Sequence, residues 1–233
     1  MLRAVIFDFD GVITDSEILH LRAFNRVLAQ YNIEIATKDY YKEYLGLTDV
    51  DCFNLVAERN QPMLDGQKIE NLVQLKNQIF EELAQTDGKI IEGVRDFLQM
   101  LKENNVPMAI CSGAVRAEIE LILEQARLRH FFTVIVSAEQ VKKGKPHPDG
   151  FLLTLQKLNQ CVIPAQAGIQ EPILPDQCVV IEDSHWGLEA AKKAGMHTVA
   201  VTNSYDADEL SLAEKIITRL DELNIDDLQK LCV

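Results

Sequence analysis

Short runs of apolar, mostly β-branched residues recur along the chain and predict buried β-strands. They span Arg3–Phe9, Pro107–Cys111, Thr133–Ser137, Cys178–Ile181, Thr198–Val201 and, more weakly, Lys215–Thr218. Amphipathic segments with helical spacing separate most of these runs, at Val94–Glu103, Ala114–Gln125, Pro148–Leu158 and Ser184–Ala194. Because nearly continuous apolar strands alternate with helices, we predict an α/β fold, a Rossmann-like three-layer α/β/α core built on a parallel sheet.

One long interval interrupts this alternation. The segment from Ser16 to Gly88 has only helical periodicity, in the runs Ile18–Tyr31, Lys38–Leu45, Asp51–Arg59 and Gln67–Ala84. A single crossover between parallel strands requires much less chain than this. We therefore predict an inserted helical domain at residues 16–87, a core formed by residues 1–15 and 88–233, and hinges near residues 14–16 and 86–89.

The segment Gln160–Gln177 has no clear period and contains several prolines. We expect an irregular loop, which could be either a functional lid or a tolerated surface insertion. Since the segment lacks a charged or aromatic cluster, the pattern favours an insertion.

Composition narrows the class of protein. The chain has 233 residues, of which 47% are hydrophobic and 25% charged, which is typical of a soluble globular protein. A net charge of −13 argues against nucleic acid as a partner. No apolar run approaches the roughly 18 residues of a membrane span, and no secretory pattern precedes the first strand. The five scattered cysteines indicate reduced thiols, so we expect a cytoplasmic protein and, by default, a monomer.

Chemically versatile residues follow the predicted strands. They are Asp8 and Asp10 after the first strand, Ser112 and Gly113 after the second, Lys145 beyond the third, and Glu182 and Asp183 after the fourth. A solvated Asp-Gly turn would explain the first pair alone. It would not explain the others, because the carboxyl ends of parallel strands meet at one edge, where ligands bind. We predict a functional site at that edge.

The residue types at this edge favour phosphate chemistry. Clustered carboxylates repel one another unless a cation lies among them, and Mg²⁺ prefers carboxylate and phosphate oxygens. The candidate metal ligands are Asp8, Asp10, Glu182 and Asp183. Lys145 would supply a positive charge, and Ser112 with the backbone N–H of Gly113 could hold phosphate oxygens at a helix start. An aspartate can attack phosphorus, and a second acid on the same side of the chain can transfer protons.

Together these segments resemble the four motifs of the haloacid dehalogenase superfamily. The matching segments are Asp8-Phe9-Asp10-Gly11-Val12, Ser112, Lys145 in Gly-Lys-Pro, and Glu182-Asp183-Ser184. The resemblance covers nearly the whole chain apart from residues 160–177. It implies that Asp8 is the nucleophile and Asp10 the general acid/base. It also implies Mg²⁺ bound by Asp8, the backbone carbonyl of Asp10, and Asp183, with Glu182 close by.

The inserted helices resemble the small cap of the subgroup that includes β-phosphoglucomutase and phosphoglycolate phosphatase. His20 and Lys76 resemble substrate-binding cap residues of the mutases, although their spacing fits packed or solvated helix residues equally well. Asp49 stands where the resemblance predicts an arginine that holds a second phosphate, and an acid would repel that group. We therefore expect a phosphatase acting on a small, sugar-phosphate-like metabolite. The alternatives are a sugar-phosphate mutase and a non-catalytic module that binds phosphate or metal.

Overall fold

The structure is a computed structural model that describes residues 1–45, 47–59, 66–87, 89–165 and 171–232. The chain divides into two compact units, one formed by Met1–Asp15 with Lys89–Val233 and the other by Ser16–Gly88. Among the described residues, no helix combines the length and the apolar composition that a membrane crossing requires.

Parallel strands form one sheet in the first unit. The strands are β1 (Ala4–Phe7), β2 (Met108–Cys111), β3 (Phe132–Val136), β4 (Cys178–Glu182), β5 (His197–Val201) and β6 (Lys215–Ile217). Their order in the sheet is β3-β2-β1-β4-β5-β6. The predicted parallel α/β fold is thus confirmed, including the weak last strand. From β1 the successive strands are added first on one side of the sheet (β2, β3) and then on the other (β4, β5, β6). Ligands bind at such a topological switch point in open α/β sheets.

The register of the sheet aligns the strand ends that carry the candidate residues. Phe7 of β1 pairs with Ile110 of β2 on one side and with Ile181 of β4 on the other. Asp8 and Glu182 are the next residues along their strands, so their backbones lie side by side. The Phe7 side chain is fully buried, with its ring edge-on to two other phenylalanine rings. The two acids therefore extend from a fully buried part of the core.

Helices flank the sheet and form the second unit. They are α1 (Glu17–Leu28), α2 (Thr37–Asp39), α3 (Asp49–Arg59), α4 (Gly66–Asp87), α5 (Val94–Glu103), α6 (Arg116–Gln125), α7 (Asp149–Ala165), α8 (His185–Lys193) and α9 (Ile225–Leu231). Helix α5 has the predicted bounds. Ser184 caps α8, since its side chain accepts a hydrogen bond from the Gly187 N–H.

Three predicted boundaries in the first unit differ from the structure by two residues or more. Strand β1 ends at Phe7 rather than Phe9, because the chain turns at once and the Ile13 N–H bonds to the Phe9 carbonyl. Helix α6 begins at Arg116 rather than Ala114, since Val115 is extended.

Helix α7 extends seven residues beyond the predicted end at Leu158, to Ala165. The first part of the predicted irregular segment 160–177 is therefore helical. The segment closes with a turn of 3₁₀ helix at Pro175–Gln177, while residues 166–170 lie outside the described residues. Its interpretation as a tolerated insertion stays a prediction.

The helical unit also departs from the predicted bounds. The run Ile18–Tyr31 divides into α1 and a 3₁₀ turn over Ala29–Tyr31. The run Lys38–Leu45 forms the short α2 followed by a π-helical turn over Tyr40–Tyr44. The unit has its own aromatic core. The centre of the Phe24 ring lies 5.1 Å from that of Phe53 and 6.3 Å from that of Tyr40.

Candidate active site

Asp8 begins the loop that follows the central strand. Its N–H still donates to the Ile181 carbonyl of β4 at 2.9 Å, so the backbone is held by the sheet while the side chain leaves it. The chain then turns through Gly11, whose φ of +73° is strained for any residue with a side chain. The Gly11 N–H donates to the Thr14 carbonyl at 2.8 Å and closes the loop. Asp8 is consequently fixed at the edge of the sheet.

Lys145 joins two acids that come from different strands. Its Nζ lies 2.5 Å from Asp8 Oδ1 and also contacts Glu182 Oε1. Glu182 is fully buried, and its other oxygen accepts from the N–H of Asp183 and from both the N–H and the hydroxyl of Ser184. Both carboxylate oxygens of Glu182 therefore accept hydrogen bonds, one from Lys145 and the other from the residues that lead into α8.

Asp8, Glu182 and Asp183 form a compact acidic cluster, which we call the carboxylate cluster. One oxygen from each residue lies within 4.8 Å of the others, and all three side chains are buried. Buried carboxylates are costly unless they are paired or coordinate a metal, and Lys145 offsets only part of this charge. Hard oxygen donors at this spacing suit a divalent cation such as Mg²⁺.

Burial and mutual repulsion perturb the protonation of these groups. Burial raises the pKa of Asp8 to about 6, although the nearby Lys145 ammonium opposes the shift. Burial and the neighbouring Glu182 and Asp8 carboxylates raise the pKa of Asp183 well above its usual value. Burial disfavours the charged form of Lys145, but Asp8 and Glu182 outweigh it and raise the pKa of this lysine. The site is therefore electrostatically incomplete without an additional positive charge.

Ser112 follows β2, next to β1 in the sheet. The residue is buried, and its N–H donates to the Val136 carbonyl at 3.0 Å. Its hydroxyl accepts a hydrogen bond from the Ala114 N–H at 3.0 Å. Gly113 lies in this loop rather than at a helix start, and there is open space where its Cβ would be. The phosphate-binding role of these residues stays a prediction.

Asp10 is half-buried, and its backbone forms a parallel bridge with Thr14. Its carboxylate is not a member of the carboxylate cluster found among the described residues. The family resemblance implies that the backbone carbonyl of Asp10 is a metal ligand and that its side chain transfers protons. The metal-binding and proton-transfer roles of Asp10 both stay predictions.

Within the helical unit, the candidate residues His20 and Lys76 meet each other and Asp49. The Lys76 Nζ lies 2.7 Å from His20 Nδ1 and donates to both carboxylate oxygens of Asp49, at 2.9 and 3.0 Å. The Lys76 side chain is only 2% exposed, whereas that of Asp49 is 28% exposed. These three contacts account for the three donors of the ammonium. Lys76 is therefore not the solvated helix residue that its spacing allowed.

Sequence patterns missed two residues that contact the site. Asn203 Nδ2 donates to the Gly11 carbonyl at 2.7 Å, and the Ser204 hydroxyl donates to Asp183 Oδ2. They lie two and three residues after β5, whose carboxyl end faces the same edge of the sheet as those of β1 and β4. Polar residues at the end of this strand were the signal that could have identified them.

Comparison with known proteins agrees with this geometry. A family model described as haloacid dehalogenase-like hydrolase matches residues 5–201. A phosphorylated carbohydrates phosphatase of Thermotoga maritima is 30% identical over 201 residues, which cover 85% of this chain and 84% of that protein. A β-phosphoglucomutase of Bacillus subtilis is 28% identical over 204 residues, covering 86% of this chain and 83% of the mutase.

The fold is also similar to solved structures. A crystal structure of the protein CbbY from Rhodobacter sphaeroides, in complex with phosphate, matches with a TM-score of 0.83. The match covers 98% of this chain and all of the CbbY chain at 22% sequence identity. At that identity the similarity concerns the fold alone.

Proposed function

The chain belongs to the haloacid dehalogenase-like hydrolases, and we propose that it is a phosphatase that removes the phosphate from a small phosphorylated carbohydrate. The observation that carries the proposal is the buried carboxylate cluster with Lys145 at the carboxyl edge of the sheet. A negatively charged phosphoester needs both a nucleophile and positive charge at such an edge. The relative from Thermotoga maritima, named for phosphorylated carbohydrates, supports the choice of substrate class.

In the proposed reaction Asp8 is the nucleophile. One carboxylate oxygen attacks phosphorus, the bond from phosphorus to the sugar oxygen breaks, and an aspartyl-phosphate forms on Asp8. The attacking group must be ionised, and the contact with the Lys145 ammonium favours the ionised form. Lys145 also neutralises charge on the phosphate oxygens, and Ser112 with the Gly113 N–H would hold those oxygens in place.

Asp10 is the proposed general acid and base. It lies two residues after Asp8, gives its proton to the departing sugar oxygen, and is left as a carboxylate. That carboxylate then takes a proton from water, which attacks the phosphorus of the aspartyl-phosphate. The bond between Asp8 and phosphorus breaks, inorganic phosphate leaves, and both acids return to their starting states.

Mg²⁺ is the proposed cofactor. Asp8, Asp183 and the backbone carbonyl of Asp10 would hold it, with Glu182 close by. When bound, the ion neutralises the acids and stabilises negative charge that develops on the phosphoryl oxygens. The compact set of buried oxygen donors supports this assignment.

The contacts of Asp49 favour hydrolysis over the mutase alternative. A mutase must hold a sugar carrying two phosphates while it is turned over, and a free cation serves that purpose best. Here the nearby cation is Lys76, whose donors are taken up by Asp49 and His20. We propose that the helical unit, residues 16–87, is a cap that selects the substrate, in which His20 and Lys76 take part through this network, where Lys76 contacts both His20 and Asp49.

A substrate screen tests the proposal. Purified protein with Mg²⁺ is incubated with a panel of phosphorylated metabolites, and released phosphate is measured beside conversion of β-glucose 1-phosphate to glucose 6-phosphate. We expect phosphate release that disappears on chelation and in an Asp8→Asn variant. Isomer conversion with little free phosphate would instead identify a mutase. Activity that survives Asp8→Asn would refute the mechanism, and phosphate or metal binding without turnover would favour the non-catalytic module.

A further inference from the structure

The segment that follows β5 reaches back to the carboxylate cluster through two adjacent side chains. The Ser204 hydroxyl donates to Oδ2 of Asp183, at the end of β4. Asn203 Nδ2 donates to the Gly11 carbonyl, in the loop after β1, at 2.7 Å. Two neighbouring residues therefore bind the two separate chain segments that supply Asp183 and Asp8.

The space between these segments is tightly filled. A Cβ added to Gly11 would lie 1.7 Å from Asp183 Oδ2 and 2.7 Å from Ser204 Oγ. The Asp183 carboxylate is thus confined between the backbone of Gly11 and the Ser204 hydroxyl. Since Gly11 also has a positive φ, no other residue fits this position without displacing Asp183.

A buried carboxylate beside two others has an electrostatic reason to turn away. Asp183 is buried beside Glu182 and Asp8, whose negative charges repel its own. The Ser204 hydroxyl counters this repulsion, because it donates a hydrogen bond to the Asp183 carboxylate. It engages one oxygen of Asp183 and so fixes the direction in which the other points. Such hydrogen bonds orient metal ligands in many proteins.

We propose that Ser204 is a positioning residue that orients Asp183 toward a divalent cation, while Asn203 holds the Gly11 loop against it. Neither side chain contacts the reacting atoms in this scheme. Their effect is to fix the spacing between the acids that follow β1 and β4 before the cation binds. The loss of conformational entropy on cation binding is then smaller. The inference rests on the proposed function, because it assumes that the carboxylate cluster binds Mg²⁺.

Calorimetric titration of the whole protein with Mg²⁺ tests the role of Ser204. For Ser204→Ala we expect about a 10- to 100-fold weaker Mg²⁺ affinity, the usual effect of removing a hydrogen bond to a metal ligand. Ser204→Thr keeps the hydroxyl and should restore most of the affinity. Ser211→Ala, an exposed serine farther along the same connection, is the matched control and should bind Mg²⁺ like the unaltered protein.

Kinetics separates a positioning role from a general loss of structure. In Ser204→Ala the Mg²⁺ concentration for half-maximal activity should rise, whereas kcat at saturating Mg²⁺ should stay within a few-fold of the parent. Asn203→Ala, which removes the second contact, should shift the Mg²⁺ dependence in the same direction and keeps the test open if Ser204→Ala does not fold.

The outcomes distinguish this inference from the proposed function. Unchanged Mg²⁺ affinity in both Ser204→Ala and Asn203→Ala would overturn the positioning role, even if the protein is a phosphatase. An unaltered protein that binds Mg²⁺ but hydrolyses no phosphoester would refute the proposed function, while the titrations would still decide the role of Ser204. An unaltered protein that binds no Mg²⁺ would overturn both.

Discussion

Lys76 illustrates how a single buried charge is accommodated in the helical unit. Its ammonium lies 5.0 Å from the centre of the Phe24 ring and 5.3 Å from that of Phe80, in addition to its contacts with Asp49 and His20. The His20 ring stacks on Phe80 at 4.2 Å. Desolvation of an ammonium costs several kcal/mol unless partners compensate it, so the aromatic faces and the Asp49 carboxylate act together.

Asp49→Arg should strengthen the binding of sugar bisphosphates by at least about tenfold, since one charge-assisted hydrogen bond to phosphate contributes about 1.5–3 kcal/mol. The measurement is the dissociation constant of a non-hydrolysed bisphosphate in an Asp8→Asn background, where turnover is prevented. Asp49→Asn is the matched control, because it removes the negative charge without adding a cation. If the arginine variant binds the bisphosphate no better than the parent, Asp49 does not face the substrate.

At the scale of single elements, the first turn of α8 couples helix stability to the site. The Ser184 hydroxyl donates to Glu182 Oε2 at 2.9 Å and accepts from the Gly187 N–H at 3.1 Å. A Cβ on Gly187 would lie 1.8 Å from Glu182 Oε1, so the backbone of α8 approaches the buried acid directly. The same hydroxyl therefore caps the helix and fixes the acid that contacts Lys145.

Ser184→Ala should lower the free energy of unfolding by about 1 kcal/mol through the lost helix cap, and by a further amount through the hydrogen bond lost at buried Glu182. It should also reduce phosphatase activity, because Glu182 helps to hold Lys145. Urea unfolding and steady-state kinetics measure the two effects.

Asn224→Ala provides the comparison for this variant. Asn224 caps α9 in the same manner, accepting from the Asp227 N–H at 3.0 Å. We expect a similar loss of stability there without a change in kcat/KM. Equal activity losses in both variants would show that the effect of Ser184 is only a loss of helix stability.

For the whole molecule, the dominant electrostatic feature is the combination of a net charge of −13 with a buried carboxylate cluster. The surface charge is screened by any salt, whereas the buried acids are screened much less. A specific divalent site should therefore be separable from general screening. Because Mg²⁺ would bind the folded protein at this site, Mg²⁺ binding should raise the free energy of unfolding.

Mg²⁺ at 100 times its dissociation constant should raise the free energy of unfolding by about 2.7 kcal/mol, since it binds the folded state preferentially. Thermal unfolding with Mg²⁺, with a chelator, and with NaCl at equal ionic strength measures this. In Asp183→Asn the rise should vanish, while the metal-free variant should be at least as stable as the metal-free parent because repulsion within the cluster is reduced. An equal rise with NaCl would contradict a specific site.

The sequence predicted those local features of this protein that depend on one physical cause, such as the burial of a strand. Apolar runs identified each strand, because a strand buried on both faces is mostly apolar. Boundaries failed where other contacts intervened, as at Val115, which is held extended next to the Ser112–Ala114 loop. The prolines of segment 160–177 predict a loop, yet Pro164 lies in the last turn of α7.

By itself the sequence determined the parallel α/β fold, its family and the acids at the strand ends. These features depend on hydrophobic periodicity and short motifs, which involve only residues that are close together in the chain. Only the tertiary structure decided which distant side chains meet. Lys76 pairs with Asp49 and His20, and Ser204 with Asp183, since these contacts depend on how helices and strands pack rather than on local pattern. The tertiary structure alone also decided burial, and burial is the reason that these few charged and polar contacts have large energetic consequences.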